Sequence, residues 1–487
     1  MWRDHMRATY VLCAVEFLER TAYYGLRALL VLLMVAPVAR GGLGWPERDT
    51  LAFYGLFTGA VWCSPLIGGF IIDRSLGLVR AVRLGGLLLV LGYLSLWASL
   101  VLPKLLAVDT LSTLADYSAT MSVPLGHWPD SQTLLQSVAL HRPVDLLRQS
   151  SETLAAWKRG LQLMAALFQG GLVLIVLGNA FFKPSVTLLV GSAYRTSDPS
   201  RERAYLLFYM SVYAAVLIAG VGIGTVGERF GWSFGLAFAE LSMLIAIATF
   251  LAAAAARVFS SDLSPIVNDV LDEGRLSVGN ALIFIGAHAL VAMVFWAAYE
   301  QSGGLMSLFI SEQVNRSIAG WLVPASWFFS LTAVFAVLCG PLISLSLMRW
   351  ERTHAPFTVS VRFALGLASG AVAYAVISLG SSGAGSASVS ILWPLAFYCL
   401  LTVGELLFSP TGFAMVGRYA PVAHQSTFMG IWLLSIALGS FIGGQIGAYS
   451  RNIGRTATFA GLCAALSATA LTVMLSRHFL LRRSLAG

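Results

Sequence analysis

Apolar stretches of about 20 to 30 residues recur along the whole chain, parted by short polar segments. Read as helices, they cover 8–35, 49–73, 79–102, 161–193, 203–226, 232–257, 277–310, 320–348, 357–380, 389–417, 424–448 and 456–480. About 20 apolar residues suffice to cross a bilayer. In lipid, only helices and closed barrels satisfy their own backbone polar groups. The pattern therefore predicts an all-α membrane protein with twelve transmembrane helices. Several stretches exceed the minimum, which tilt or extension beyond the bilayer absorbs. The first is too long for a signal peptide and lacks a small-residue cleavage site after a short apolar core, so it is expected to remain.

Two segments break the rhythm. Residues 258–276, with Asp269, Asp272 and Glu273, read as a polar cytoplasmic linker. It divides the chain into two six-helix bundles, 1–257 and 277–487. Residues 103–160 read as an insert on the outer face, its acids and bases balanced. Apolar positions recur at helical spacing in Leu105–Met121 and Gln132–Leu147, broken by Pro124, Pro129 and Pro143. Short amphipathic helices lying over that face are expected, as a cap or as a docking element for a partner.

Composition agrees with a membrane protein: of 487 residues, 57% are hydrophobic and 11% charged, against about 25% charged in soluble proteins. The net charge of +8 would point to nucleic acid in a soluble chain. Here the basic residues sit in short loops, and those of one side (Arg74, Arg80, Arg83, Arg201, Arg349, Arg418) outnumber those of the other. Orientation explains them: both termini cytoplasmic, in the plasma membrane, with no nucleic-acid partner. The five cysteines all fall in apolar stretches without a CxxC, so neither a disulfide framework nor a metal knuckle is indicated.

The exceptions to apolarity carry the chemistry. The first span holds Glu16, Glu19, Arg20, Tyr23 and Arg27. At 100° per residue they share a face about 100° wide, rising about 16 Å. A charge at the bilayer centre costs about 2.5–3.5 kcal/mol on insertion scales, so a polar interior is expected beside this face. Topology places Lys183 of the fourth span near the depth of Glu16–Arg20, and Glu300 of the seventh near that of Arg27. Glu405 of the tenth span lies level with Lys183. Two pairings follow: Arg27 with Glu300, and Lys183 with Glu405 or with Glu16 and Glu19. Glu240 has no base at its depth and reads as an isolated buried acid. His288 alone among the seven histidines lies in a helix core, so no histidine metal cluster is available. No GxSxG nucleophile motif occurs. An enzyme is not expected.

These residues also carry a likeness. Glu16-x-x-Glu19-Arg20-x-x-Tyr23-Tyr24-Gly25 resembles the first-helix signature of the proton-dependent oligopeptide transporters, a branch of the major facilitator superfamily. Gly178-x-x-x-Phe182-Lys183-Pro184, Phe295-Trp296-x-x-x-Glu300-Gln301-x-Gly303 and Gly404-Glu405-Leu406-x-x-Ser409-Pro410-x-Gly412 resemble its motifs in helices 4, 7 and 10. Gly69-x-x-x-Asp73-Arg74-x-x-Gly77 matches the superfamily's loop between helices 2 and 3. The resemblance implies the major facilitator fold and proton-coupled symport of di- and tripeptides by alternating access, driven by the proton gradient without a cofactor. It implies that Arg20 and Lys183 hold the peptide carboxylate and Glu405 the amino group. Glu16, Glu19, Arg20 and Glu300 would couple protons. Arg27 with Glu300 would gate the outside, and Lys183 with Glu405 would link the halves. Tyr24, Trp296, Ser409 and Trp432 would line the pocket.

Departures bear on the cargo. Trp62 stands where the family often has Tyr, and Gly55 where animal members have His. Tyr213 replaces an Asn that reads the peptide backbone, Thr332-Ala333 replaces Asn-Pro, and Phe329 replaces a Gln. Trp62, Tyr213 and Thr332 thus make the expected lining bulkier. They keep open a symporter of another zwitterionic or anionic solute, alongside a non-transporting nutrient sensor on the same fold.

Overall fold

The computed structural model describes residues 2–37, 40–106, 145–194, 199–259, 276–353, 358–383, 388–421 and 424–485. The first half comprises α1 (Trp2–Val35), α2 (Glu47–Ile71), α3 (Leu78–Leu106), α4 (Asp145–Ser192), α5 and α6 (Trp232–Ala255). α5 joins Pro199–Ile218 to Thr225–Phe230 through a π-helical Ala219–Gly224. The second half comprises α7 (Val278–Gln313), α8 (Ser326–Glu351), α9 (Val359–Gly383), α10 (Leu392–Tyr419), α11 (Gln425–Ile453) and α12 (Arg455–Leu485). Eleven of these are long and apolar enough to cross a membrane; α1 is not among them. Its buried Glu16, Glu19, Arg20 and Arg27 account for the difference. Twelve crossings put both chain ends on one face, called here the terminal side; the other is the distal side.

Two helices differ from their expected form. α4 begins at Asp145 rather than near 161 and runs 48 residues, about 70 Å. Hydropathy ends near 161, but no proline lies between Pro143 and Pro184, so the helix continues past the apolar part. The expected insert is shorter by that length, and 107–144, with most of its expected amphipathic helices, lies outside the described residues. α7 is broken rather than continuous. Val278–Tyr299 passes through a 3₁₀ turn at Glu300–Ser302 to Leu305–Gln313. Short strands, β1 (Val314–Asn315) parallel to β4 (Val389–Ser390) and β2 (Ser317–Ile318) antiparallel to β3 (Trp321–Leu322), trim the distal loops.

Packing repeats with a six-helix period. α3 packs on α4, α1 on α5 and α6, and α2 on α4; correspondingly α9 packs on α10, α7 on α11 and α12, and α8 on α10. The halves meet through α2 against α11 and α5 against α8, the two contacts that this internal symmetry exchanges. Both are tight on the distal side. A Cβ on Gly55 would lie 2.5 Å from the Gly444 Cα, and one on Gly220 would lie 2.7 Å from the Ser326 carbonyl oxygen. On the terminal side, α4 and α5 have no extended packing against α10 and α11 among the described residues. The halves are thus closed distally and apart towards the chain ends. Forcing side-chain volume into so close a contact costs about 1–3 kcal/mol or moves the backbone. Gly55→Leu should therefore part α2 from α11. Spin labels at the exposed Asp49 and Arg451, read by pulsed electron resonance, should shift to longer distances; an unchanged distribution would contradict the contact.

Candidate functional site

The charged face of α1 meets partners at two levels. At the level nearer the terminal side Arg20 forms a two-pronged pair with Glu19, Nε to Oε2 at 2.5 Å and Nη2 to Oε1 at 2.6 Å. Its Nη2 also donates to Asn179 Oδ1 on α4 at 2.9 Å. Glu16 Oε1 lies 3.6 Å from Arg20 Nε and 3.7 Å from Lys183 Nζ, and neither Glu16 oxygen accepts a hydrogen bond. Two acids and two bases therefore balance within one half. Glu16 and Glu19 are wholly buried, whereas the Lys183 side chain is 32% exposed. Solvent reaches the cluster through Lys183.

Nearer the distal side Arg27 pairs with Glu300 across the two halves. Tyr54 Oη accepts from Arg27 Nε at 3.1 Å and Nη2 at 2.6 Å, and Ser440 Oγ donates to Glu300 Oε2 at 3.3 Å. The guanidinium also sits 5.5 Å over each of the Tyr54 and Phe329 rings. Such wrapping matters, because a desolvated pair holds only when its remaining hydrogen-bonding capacity is met. The break in α7 supports it. Gly303 lies where a Cβ would come 2.2 Å from Tyr54 Oη, so only glycine admits the tyrosine here.

Between these levels the wall is aromatic. Trp62 and Trp296 lie 6.4 Å apart across the halves, and Trp296 meets Tyr299 edge-on at 5.2 Å. Tyr24 and Tyr213 pack on a small apolar cluster of Ala28, Val216, Phe329 and Ala333. Half-buried Glu405 meets the Tyr299 side chain. Ser409 is half-buried on α10, and Thr332 bonds its own helix at Phe329 O, 2.9 Å.

Of the two pairings open to Lys183, the one with Glu16 forms and the one with Glu405 does not. One expectation fails here. Trp432 does not line an open pocket. It has no exposed surface and stacks on Phe363 at 5.8 Å, with Phe408 and Phe413 around it. Asn179 and Tyr54 were missed. Asn179 sits inside the helix 4 motif, but its aim at Arg20 depends on how α4 packs; nothing in the sequence marks Tyr54. His288 is a core histidine. Its Nδ1 lies 2.8 Å from Phe284 O and its Nε2 3.2 Å from Ser360 Oγ. Glu240 is buried, and its Oε2 accepts no hydrogen bond.

A family model described as "POT family" matches residues 80–265 and 280–458. The chain belongs to the POT family. This is an oligopeptide transporter family within the major facilitator superfamily, so the protein is a multi-pass plasma-membrane transporter rather than an enzyme. Among curated relatives, the peptide transporter YePEPT of Yersinia enterocolitica is 25% identical, covering 89% of this chain and 86% of that protein. The uncharacterized transporter YclF of Bacillus subtilis is 22% identical, covering 99% and 96%. A crystal structure of a peptide transporter POT in complex with sulfate aligns with a TM-score of 0.78 at 22% identity, covering 98% and 96%. That of a POT family transporter in complex with 5-aminolevulinic acid aligns at 0.73 and 20%, covering 97% and 96%. The likeness to these structures establishes the twelve-helix fold.

Within this POT family fold the distal pair is open to a direct test. Removing one partner of a buried pair leaves the other charge uncompensated, at about 3–5 kcal/mol. Glu300→Ala should destabilise by that amount in detergent thermal unfolding. The double variant Arg27→Met, Glu300→Leu should lose less than either single variant.

Proposed function

We propose that the protein is a proton-coupled symporter of di- and tripeptides working by alternating access, with both termini cytoplasmic and the distal side outside. One observation carries the reading. Lys183 and Arg20 share Glu16 and Glu19, and the Glu16 oxygens accept no hydrogen bond. An opposite charge within about 4–6 Å couples a carboxylate's proton to its cationic neighbours. Protonating the carboxylate leaves the first half with one uncompensated positive charge, while Glu405 supplies a negative one on the second half. A zwitterionic peptide complements that arrangement: its carboxylate goes to Lys183 and Arg20, its amino group to Glu405. Tyr24, Trp62, Tyr213, Trp296, Thr332 and Ser409 surround it.

A peptide bound from the outer side lets the halves close over it, forming the Arg27–Glu300 pair, with Glu300 joining Glu16, Glu19 and Arg20 in the coupling. α4 and α10 then part on the inner side and release it. A Lys183–Glu405 link belongs to the inner-closed state. Proton and peptide bias one rocking equilibrium between the halves. The membrane potential adds about 2.3 kcal/mol per charge per 100 mV. The bundle boundaries 1–257 and 277–487 define the rocking bodies, and 258–276 tethers them. The remaining insert, 107–144, serves in this reading as a docking element rather than part of the transport path.

Trp62, Trp296, Tyr213 and Phe329 together favour a second reading, symport of another zwitterionic or anionic solute such as a modified amino acid. A metabolite panel competing against dialanine uptake separates the two.

Proteoliposomes under an inward acid gradient should accumulate labelled dialanine; no gradient-dependent uptake across a di- and tripeptide panel would end the peptide reading. Glu16→Gln should keep peptide exchange but lose proton-driven accumulation. Lys183→Gln should raise the half-saturating dialanine concentration about 10- to 100-fold, as expected for a lost charge-assisted bond. Deleting 107–144 should leave uptake unchanged.

A further inference from the structure

Both distal contacts carry the same short sequence. Glu47-Arg48 opens α2 and Glu228-Arg229 closes α5, so both Glu-Arg dyads belong to the first half. The Glu47 carboxylate accepts from Arg455 Nη2 of α12 at 3.0 and 3.1 Å, and the same Nη2 donates to Glu312 of α7 at 2.9 Å. Arg48 lies 5.0 Å over the ring of Tyr449 on α11. At the other contact Glu228 accepts from the Ala325 and Ser326 amides at 3.0 and 2.7 Å, where α8 begins, and lies 4.0 Å from Arg316. Arg229 lies 4.8 Å over the Trp321 ring and donates to Leu322 O at 2.8 Å. Each acid thus takes a second-half donor, and each arginine covers a second-half aromatic ring.

The receiving side is held in shape. Ala319 and Gly320, at φ of 50° and 80°, turn β2 back on β3 and set Trp321 beside Arg229. Arg316 Nη1 donates to Val323 O at 2.7 Å and its Nη2 to Ser311 O at 3.3 Å, which ties the loop before α8 to α7. Trp327 of α8 donates Nε1 to Thr225 Oγ1 of α5 at 2.7 Å. The first N–H groups of a helix have no partner within it, and its N-terminus attracts negative charge. Glu228 meets both needs of α8. Bonds to an ionised group are stronger than neutral ones. The Arg27–Glu300 pair is buried, whereas Arg48 and Arg229 are exposed. When the halves part, the dyads therefore hydrate at the surface.

We propose that the two Glu-Arg dyads are a pair of distal clasps that set the fraction of molecules closed on that side, in addition to the Arg27–Glu300 pair. Such clasps act through the rocking of the halves proposed above and lie outside the peptide and proton cluster.

The test reads each clasp at the opposite contact, so that a loosened local loop does not register. Spin labels on unnatural amino acids leave the five native cysteines in place. Glu228→Gln is read between Asp49 and Arg451, and Glu47→Gln between Phe234 at the start of α6 and Leu392 at the start of α10; all four sites are exposed. Pulsed electron resonance is recorded on the full chain in detergent without peptide, in the wild-type background and in Gly55→Leu, where both populations are expected. Each variant should raise the ratio of long to short distances about tenfold, as for one lost charge-assisted bond. The double variant should raise it about 100-fold, because separate sites add. Arg48→Gln and Arg229→Gln, altered only at the surface, should act in the same direction with an unchanged elution profile. If Gly55→Leu lengthens the distances and no dyad variant does so in either background, the clasps do not gate and the inference is wrong. If no variant moves them, Gly55→Leu included, the rocking of the halves falls with it.

Discussion

Neutralising the charges of α1 inside a bilayer-spanning bundle is the constraint on which the rest depends. Glu16, Glu19, Arg20 and Arg27 are all buried, and an isolated ion at such depth is strongly unfavourable. Each must meet a counter-charge or a dipole, so α1 cannot be placed independently of α2, α4 and α7. Asn179 fixes α4 against Arg20, Tyr54 brings α2 to Arg27, and Glu300 brings the second half to the first. Buried pairs contribute little net stability. What these pairs impose is register: they specify which faces of four helices meet, and at what depth.

The two pairs answer that constraint in different ways, and the difference is functional. At the inner level charge is balanced within one half, so the balance survives when the halves move apart. At the distal level it is balanced across the halves, so it holds only while they are closed. One fold thus keeps a charge cluster within one half beside an ion pair that spans both. The internal symmetry of the packing supplies the rest. α2 against α11 and α5 against α8 are equivalent contacts, and rocking about them exchanges the closed side. Glycines at Gly55 and Gly444 let the distal contact close backbone to backbone, a tight seal with little side chain to repack.

The failed expectations share a cause. Trp432 stands at helical spacing that suits a pocket wall, yet it fills the interior of the second half because Gly412 leaves room for its ring: a Cβ there would lie 1.9 Å from Trp432 Cζ2. Lys183 and Glu405 were placed at one depth, and depth says nothing of the lateral gap between halves. The break in α7 was invisible because Glu300–Gly304 lies inside an unbroken hydropathic stretch. α4 outran its apolar segment because helix length follows from the absence of breakers, not from hydropathy.

The sequence by itself determined that the chain spans the membrane twelve times and which charges lie inside. It also determined that Arg27 and Glu300 share one depth and that Lys183 lies near the depth of both Glu16 and Glu405. These follow from period and rise along a helix, which are local quantities. Tertiary structure decided which neighbours the charges chose: Asn179 and Tyr54 for the two arginines, and Glu16 rather than Glu405 for Lys183. It also decided which side is closed and which aromatic rings face the centre. Those outcomes depend on rotation of each helix about its axis and on the separation between halves. Both are set by contacts between residues far apart in the chain, and no local period encodes them.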